Sequence, residues 1–211
     1  MEKKLKILCI HGYRQTGQVF RQRTGAFRKA LKKIADFEFV TAPNEIKTDN
    51  PDDEQVFGWW FSSPDNTYKA QDYTECSNGF EHSLTTVASA LEKQGPFDGV
   101  LAFSQGASLL SVICGLKEQG DERFQGFRFA MFVSGFKSRQ AAHQEFYKTQ
   151  ISLPTLHVMG ETDQVIEKEM SEDLATLYGN KTVVCHKGGH FVPATSAEKS
   201  QYISFLKEFM W

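Results

Sequence analysis

Ser104 has the surroundings of a serine placed to act as a nucleophile. It stands at the centre of Ala102-Phe103-Ser104-Gln105-Gly106, after the apolar run GVLAF and before the helical run ASLLSVICGLK. A sharp strand-to-helix turn of the form G-x-S-x-G exposes a serine hydroxyl, with small residues two positions before and after it. Ala102 differs from the usual glycine by one methyl group, and simple helix capping is the alternative role for the serine. Because strand, turn and helix follow in the required order, we predict that Ser104 attacks a carbonyl carbon.

A nucleophilic serine needs a histidine to take its proton and an acid to orient that histidine. With this type of turn, the chain order is serine, acid, histidine. His143 and His157 are poorly placed among the later elements, and His186 ends a predicted strand, whereas His190 lies in the glycine-bearing loop KGGHF. His190 is therefore the predicted base.

Two acids follow the strand-like run PTLHVMG, and either has a suitable position to orient the histidine. They are Glu161 and Asp163. A solvated turn acid or a helix N-cap is the ordinary alternative for each. We favour Asp163, but spacing alone leaves Glu161 open.

The turn HGYRQTG after the first apolar run has two interpretations. Residues 12–17 have the G-x-x-x-x-G spacing of a phosphate-binding loop, but the lysine and hydroxyl residue that complete such a loop are missing. We instead predict that the backbone N–H groups of Tyr13 and Gln105 form an oxyanion hole. His11 is then expected to be structural.

The elements that must hold these residues alternate between short apolar runs and helical patterns. Predicted strands are residues 5–10, 37–41, 99–103, 128–133, 154–159 and 181–185. Predicted helices are residues 19–35, 78–93, 105–117, 166–178 and 197–210. Such alternation indicates βαβ units around a mainly parallel sheet, in a single α/β domain that spans residues 1–211.

A polar, irregular segment at about residues 42–77 interrupts this alternation. Long irregular segments inside a compact domain are often functional, which predicts a lid-like or pocket-forming insertion. It carries three consecutive aromatic residues, Trp59, Trp60 and Phe61. The sequence leaves two roles equally open for these residues: packing in the core, or forming a wall of the substrate pocket.

Composition excludes several other classes of protein. The formal net charge of −2 does not indicate a nucleic-acid partner, and no stretch is long and apolar enough to predict a membrane span. The four cysteines lack C-x-x-C spacing and are expected to be reduced, which predicts a cytoplasmic location. No cluster has metal-ligand spacing, so no metal is predicted. The predicted reaction uses groups of the protein alone, and no cofactor is predicted.

Several motifs together resemble the fungal and animal family of serine hydrolases, and within it the ovarian-cancer-associated esterase type of animals. The motifs, which cover almost the whole chain, are ILCIHGYRQTG, GWWF, GPFDGVLAFSQGASLL, FVSGF, LPTLHVMGETDQVI and GGHFVP. The resemblance implies a minimal α/β-hydrolase fold, with a six-stranded, mainly parallel sheet in the order 2-1-3-4-5-6 and helices on both faces. It also places a catalytic triad on Ser104, Asp163 and His190.

The expected activity is hydrolysis of carboxylic esters or thioesters, small-molecule substrates with medium to long acyl chains, through an acyl-enzyme. Two alternatives remain: a catalytically idle interaction module of the same fold, and an acyltransferase on the same scaffold. The sequence makes no prediction of the physiological substrate or the oligomeric state.

Overall fold

Six parallel strands form the central sheet of the protein, and a short antiparallel hairpin lies beside it. The structure, a computed structural model, describes residues 3–48 and 54–210. The strands are β1 (Leu5–Ile10), β2 (Ala35–Val40), β3 (Asn44–Ile46), β4 (Val56–Gly58), β5 (Gly99–Phe103), β6 (Phe129–Val133), β7 (Thr155–Gly160) and β8 (Lys181–His186). The spatial order is β2-β1-β5-β6-β7-β8, with the hairpin made by β3 and β4. The predicted order of the six main strands is confirmed.

Helices cover both faces of the sheet, and the strands β1, β2, β5 and β6 supply side chains to both. Leu8 and Ile10 of β1 belong to one apolar cluster, whereas Ile7 and Cys9 belong to the other. This alternation follows from the two-residue period of a strand. The helices are α1 (Gly17–Arg23), α2 (Gly25–Leu31), α3 (Phe80–Gln94), α4 (Gln105–Glu118), α5 (Lys168–Ala175) and α6 (Ser196–Lys207). Helices α3, α4 and α5 contribute to the first cluster, and α1, α2 and α6 to the second.

The prediction of a single helix over residues 19–35 is wrong. Two helices, α1 and α2, meet at Thr24, whose hydroxyl donates to the carbonyl oxygen of Phe20 at 2.7 Å, and Gly25 follows. A hydroxyl bonded to a carbonyl four residues earlier often bends a helix. The predicted helix also extended too far, because Ala35 begins β2 and pairs with Leu5.

The sheet order creates a switch point between β1 and β5. From β1 the chain continues outward to β2, whereas from β5 it continues to the opposite side through β6. Ligands of open parallel sheets bind at such a point, beyond the carboxyl ends of the strands. Here Ile10 of β1 is paired with Ala102 of β5, so the loop after β1 lies beside the turn that holds Ser104.

The described part of the 42–77 segment connects two loops at this edge of the sheet. Phe57 of β4 donates its N–H to the carbonyl of Gln15 at 3.1 Å, which joins the hairpin to the loop after β1. Farther along, the N–H of Ala141 donates to the carbonyl of Thr74 at 2.8 Å, which joins the segment to the loop after β6. The segment is therefore attached to both sides of the switch point. Nowhere in residues 3–48 and 54–210 does a helix have the length and apolarity needed to cross a membrane.

Candidate active site

Ser104 lies between β5 and α4 in a strained backbone conformation. Its φ of 54° and ψ of −119° are unusual for a residue with a side chain, and its N–H donates to the carbonyl of Val133 at 2.9 Å. Such strain costs roughly 1–3 kcal/mol and concentrates at functional sites. Gly106 allows the close approach, because a Cβ there would lie 2.3 Å from the carbonyl oxygen of His11. Ala102 is fully buried in β5, and the turn forms without the usual glycine at that position.

His190 lies between Ser104 and Asp163. Its Nε2 is 3.0 Å from Ser104 Oγ, and its Nδ1 is 2.8 Å from Asp163 Oδ2. A carboxylate only accepts hydrogen bonds, so it selects the tautomer with the proton on Nδ1. Nε2 is then free to accept the proton of the serine hydroxyl. The structure thus brings together the three residues predicted to form the triad, across 86 residues of sequence between Ser104 and His190.

The Asp163 carboxylate is held in its ionised form. Its side chain is 1% exposed, and burial by itself raises the pKa. Hydrogen bonds from His190 and from the N–H groups of Val165 and Ile166 outweigh burial and lower the pKa to about 2. Asp163 is therefore a permanent negative charge beside His190 at neutral pH.

The competing residues from the sequence have other surroundings. Glu161 is exposed, and its backbone N–H donates to the carbonyl of His186. His186 is 4% exposed, and its Nδ1 accepts from the N–H of Gly188 at 3.2 Å. Burial lowers the pKa of His186. The hydrogen-bond geometry therefore favours Asp163 and His190 over these two neighbours.

The two residues predicted to supply oxyanion donors belong to the turn that holds Ser104 and to the loop after β1. Gln105 is the first residue of α4, where backbone N–H groups lack acceptors within the helix. Tyr13 follows Gly12, and a Cβ on Gly12 would lie 3.3 Å from the Cβ of Ser104. The absence of a side chain on Gly12 lets the loop pass this close to the serine.

His11 holds the same loop in place. Its Nε2 accepts from the N–H of Ala42 at 2.9 Å, so the proton is on Nδ1, which lies 2.7 Å from the carbonyl oxygen of Gly12. Burial lowers the pKa of His11 to about 4, which keeps the ring neutral. These contacts fit the structural role expected from the sequence.

The three aromatic residues of the insertion lie in the interior. Trp59, Trp60 and Phe61 are 0%, 1% and 4% exposed. The Trp59 indole donates to the carbonyl of His11 at 2.7 Å, and Trp60 packs edge-on against Phe80. Of the two interpretations that the sequence left open, the structure supports core packing. A pocket wall needs exposed side chains, and these three offer almost none.

The side chain of Gln105 performs a role that the sequence did not indicate. Its Oε1 accepts from the N–H of Trp59 at 2.9 Å, and its Nε2 donates to the carbonyl of Trp60 at 2.8 Å. The residue directly after Ser104 therefore ties the insertion to the nucleophile turn. A polar side chain at this position of the motif was the available signal, but its partners are 45 and 46 residues away.

Two further serines make side-chain contacts that the sequence did not indicate, and one of them, Ser134, contacts the triad. Ser134 donates to Asp163 Oδ2 at 2.8 Å, and Ser138 lies 2.7 Å from Nδ1 of the buried His143. Ser134 is part of the motif FVSGF, where the only signal was its position at the end of a strand. Across the described residues, no group of three or more His, Cys, Asp or Glu side chains is arranged to hold a metal.

Known structures share this architecture. A crystal structure of esterase PE8 superposes with a TM-score of 0.66 at 18% identity, covering 99% of this chain and 94% of that one. A carboxylesterase of Bacillus cereus superposes with a TM-score of 0.61 at 11% identity, covering 98% and 89%. Together with the sheet order and the strained serine turn, these similarities assign the α/β-hydrolase fold.

Sequence similarity identifies the family. The family described as "Serine hydrolase (FSH1)" matches residues 1–202, so the chain belongs to this serine hydrolase family. Esterase OVCA2 of Danio rerio is 44% identical, over 97% of both chains. Esterase OVCA2 of Homo sapiens is 39% identical, over 99% of this chain and 98% of that one. The family resemblance found in the sequence is confirmed.

Proposed function

We propose that the protein hydrolyses carboxylic esters or thioesters, with Ser104 as nucleophile, His190 as general base and Asp163 as the orienting acid. The observation that carries this proposal is the pair of hydrogen bonds that His190 makes, at 3.0 Å to Ser104 and 2.8 Å to Asp163. Membership in a serine hydrolase family and relatives named esterases support the same reaction.

The reaction proceeds through an acyl-enzyme. Ser104 Oγ forms a bond to the carbonyl carbon while its proton passes to His190 Nε2. The carbonyl oxygen becomes an oxyanion, held by the N–H groups of Tyr13 and Gln105. Collapse of this intermediate breaks the C–O or C–S bond, and His190 protonates the departing alcohol or thiol. Water, deprotonated by His190, then releases the acid and restores Ser104.

The acyl chain is proposed to lie on apolar side chains beside the triad. Val165 is 51% exposed two residues after Asp163, and Phe191 is 50% exposed directly after His190. The insertion reaches this side, because Gln71 Nε2 donates to the carbonyl of Val165 at 3.0 Å. Each methylene buried there contributes about 0.8 kcal/mol, or roughly three- to fourfold in kcat/KM. This supports a preference for medium or longer acyl chains over acetate.

A chain-length series tests the proposal. Esters and thioesters from acetyl to long acyl groups are compared on wild type, Ser104→Ala and Val165→Ser, with Val183→Ser as control. Val183 is a similarly exposed valine on β8. We expect Ser104→Ala to be inactive and Val165→Ser alone to flatten the chain-length dependence. Activity of Ser104→Ala at the wild-type level would refute the nucleophile. If the two valine variants had the same chain-length dependence, Val165 would not be part of the acyl site.

Hydrolysis is separated from acyl transfer by adding an alcohol or thiol acceptor and analysing the products. We expect free acid to remain the main product, because water restores Ser104 in the proposed cycle. A predominant acyl-acceptor product would instead favour the acyltransferase alternative, in which the acyl-enzyme excludes water.

A further inference from the structure

Ser134 is a second strained serine at the edge of the sheet that carries the triad. It directly follows β6 and has a φ of 48°, a conformation that residues with a side chain rarely adopt. Ser104, at the end of the neighbouring strand β5, has a φ of 54°. Ser134 is 1% exposed, and its N–H donates to the carbonyl of Val158 in β7 at 2.9 Å. The backbone is therefore tied to β7 in a conformation that glycine would adopt more easily.

The Ser134 side chain is directed at the triad. Its hydroxyl donates to Asp163 Oδ2 at 2.8 Å, and the same oxygen accepts from His190 Nδ1 at 2.8 Å. The other oxygen, Oδ1, accepts from the N–H groups of Val165 and Ile166, both at 2.9 Å. Both carboxylate oxygens thus have two donors, and Ser134 is the side-chain donor that shares an oxygen with His190.

We propose that Ser134 is a positioning residue of the triad, whose hydroxyl orients the Asp163 carboxylate and shares the negative charge that faces His190. This inference rests on the roles proposed above for Ser104, His190 and Asp163. The backbone donors hold Oδ1 alone, so the carboxylate needs a donor at Oδ2 to keep that oxygen in the plane of the imidazole.

Removing the hydroxyl has two physical consequences. First, the carboxylate loses one of the two donors at Oδ2, so its alignment with His190 becomes less well defined and kcat falls. Second, Oδ2 no longer shares its negative charge with a hydroxyl, so the carboxylate stabilises the imidazolium more strongly. The acid limb of the profile of kcat/KM against pH then moves to higher pH, because the free-enzyme profile reports the base.

Other ionisable groups surround Asp163 and His190, and a substitution at position 134 leaves them unchanged. Glu161 lies in the turn after β7, and His186 at the end of β8 is in electrostatic contact with Asp163. Glu198 of α6 acts electrostatically on His186, and Glu161 acts weakly on Lys168 of α5. They contribute equally to the profiles of wild type and variants, so a shift between the profiles reports the hydroxyl.

The experiment compares Ser134→Ala with Ser134→Gly. Both remove the hydroxyl, but glycine also relieves the strain of the positive φ, so the glycine variant keeps the test valid if the alanine variant folds poorly. Ser171→Ala is the control, because Ser171 is a buried serine whose hydroxyl donates to the carbonyl of Gly135 at 2.7 Å, next to Ser134. Profiles of kcat and KM against pH are measured on folded protein, with Ser104→Ala alongside.

We expect both Ser134 variants to lose about 10- to 100-fold in kcat with little change in KM, and to share an acid limb shifted to higher pH. Ser171→Ala should keep the wild-type profile. Wild-type kcat and acid limb in both Ser134 variants would overturn the inference, as would a defect in the alanine variant that glycine restores, since strain and not the hydroxyl would then be the cause. Failure of the proposed function is distinguished by activity remaining in Ser104→Ala.

Discussion

Among the residues that the structure describes, two serine–histidine pairs have similar separations and different surroundings. Ser104 Oγ is 3.0 Å from His190 Nε2, and Ser138 Oγ is 2.7 Å from His143 Nδ1. His190 is partly exposed, whereas His143 is buried. The distance in the second pair is the shorter one, but Ser138 lacks the other features of a reactive serine.

The two pairs differ in the groups, other than the serine, that surround the histidine ring. Asp163 contacts the far nitrogen of His190 and can stabilise an imidazolium. His143 instead packs against the rings of Trp60 and Phe80, and among the residues that the structure describes it has no hydrogen bond to a carboxylate. Burial lowers the pKa of His143 to about 4, so it is a weak base. A short serine–histidine distance therefore identifies a nucleophile only together with an acid and access for a substrate.

The difference between the two pairs is tested most directly by finding out which serine reacts, Ser104 or Ser138. We expect a fluorophosphonate probe to label Ser104, because an activated serine reacts readily. Ser104→Ala should lose about 10⁴-fold or more in kcat, whereas Ser138→Ala should retain labelling and activity within about threefold. Peptide mass spectrometry and ester hydrolysis check this. Labelling of Ser138, or loss of labelling in folded Ser138→Ala, would contradict the distinction.

The second largest effect is expected from a substitution of Asp163, the acid that contacts His190. Asp163→Asn should reduce kcat by about 10³- to 10⁴-fold, because the amide favours the wrong imidazole tautomer and no longer stabilises the imidazolium. Glu161→Gln is the matched control and should stay near wild type, since Glu161 is exposed. Steady-state kinetics on the two variants decide between them. A larger loss in Glu161→Gln would mean that the acid is misassigned.

The packing around the second pair predicts a loss of stability. Trp60→Ala should lower the free energy of unfolding by about 3–5 kcal/mol, because it leaves a cavity beside Phe80 and His143. Trp60→Phe should cost less, and Ser104 should still be labelled in the folded fraction of either variant. Urea unfolding measures the change. A stable Trp60→Ala protein with altered chain-length selectivity would instead return Trp60 to the substrate pocket.

The buried histidines predict an acid-sensitive fold. Burial lowers the pKa of His143 and His11 to about 4 and that of His157 to about 3, from 6.5. The unfolded chain therefore binds more protons, so stability is complete above about pH 6.5 and falls as the pH drops toward 4. At pH 5, each of these histidines lowers the free energy of unfolding by about 2 kcal/mol, because it stays neutral in the folded protein and is protonated in the unfolded chain.

Unfolding at pH 7 and pH 5 measures this effect, with His143→Asn as the test variant. The stability difference between the two pH values should shrink by about 2 kcal/mol in the variant, because one titrating group has been removed. An unchanged difference would show that His143 is not buried in neutral form. The same measurement separates acid unfolding from the protonation of His190 in the activity profile.

Local sequence patterns were sufficient for the alternation of strands and helices and for the candidates Ser104 and His190. The choice of Asp163 over Glu161 and the order of the strands came from the family resemblance. Apolar runs and helical spacing depend on neighbouring residues, and the order of serine, acid and histidine follows from how the fold is built. The six strands were found close to their observed bounds, and the structure brings Ser104, Asp163 and His190 together as expected. Their catalytic roles stay a prediction.

Only the tertiary structure decided which polar and aromatic residues meet. Gln105 donates to the carbonyl of Trp60, 45 residues away, and Ser134 reaches Asp163 across 29 residues. At the break between α1 and α2, the hydroxyl of Thr24 bonds the carbonyl of Phe20, a contact that often bends a helix. Such contacts depend on the register between strands and on the path of the connecting segments. The periodicity of side chains shows which face of a strand is buried, but it does not determine which distant side chains meet there.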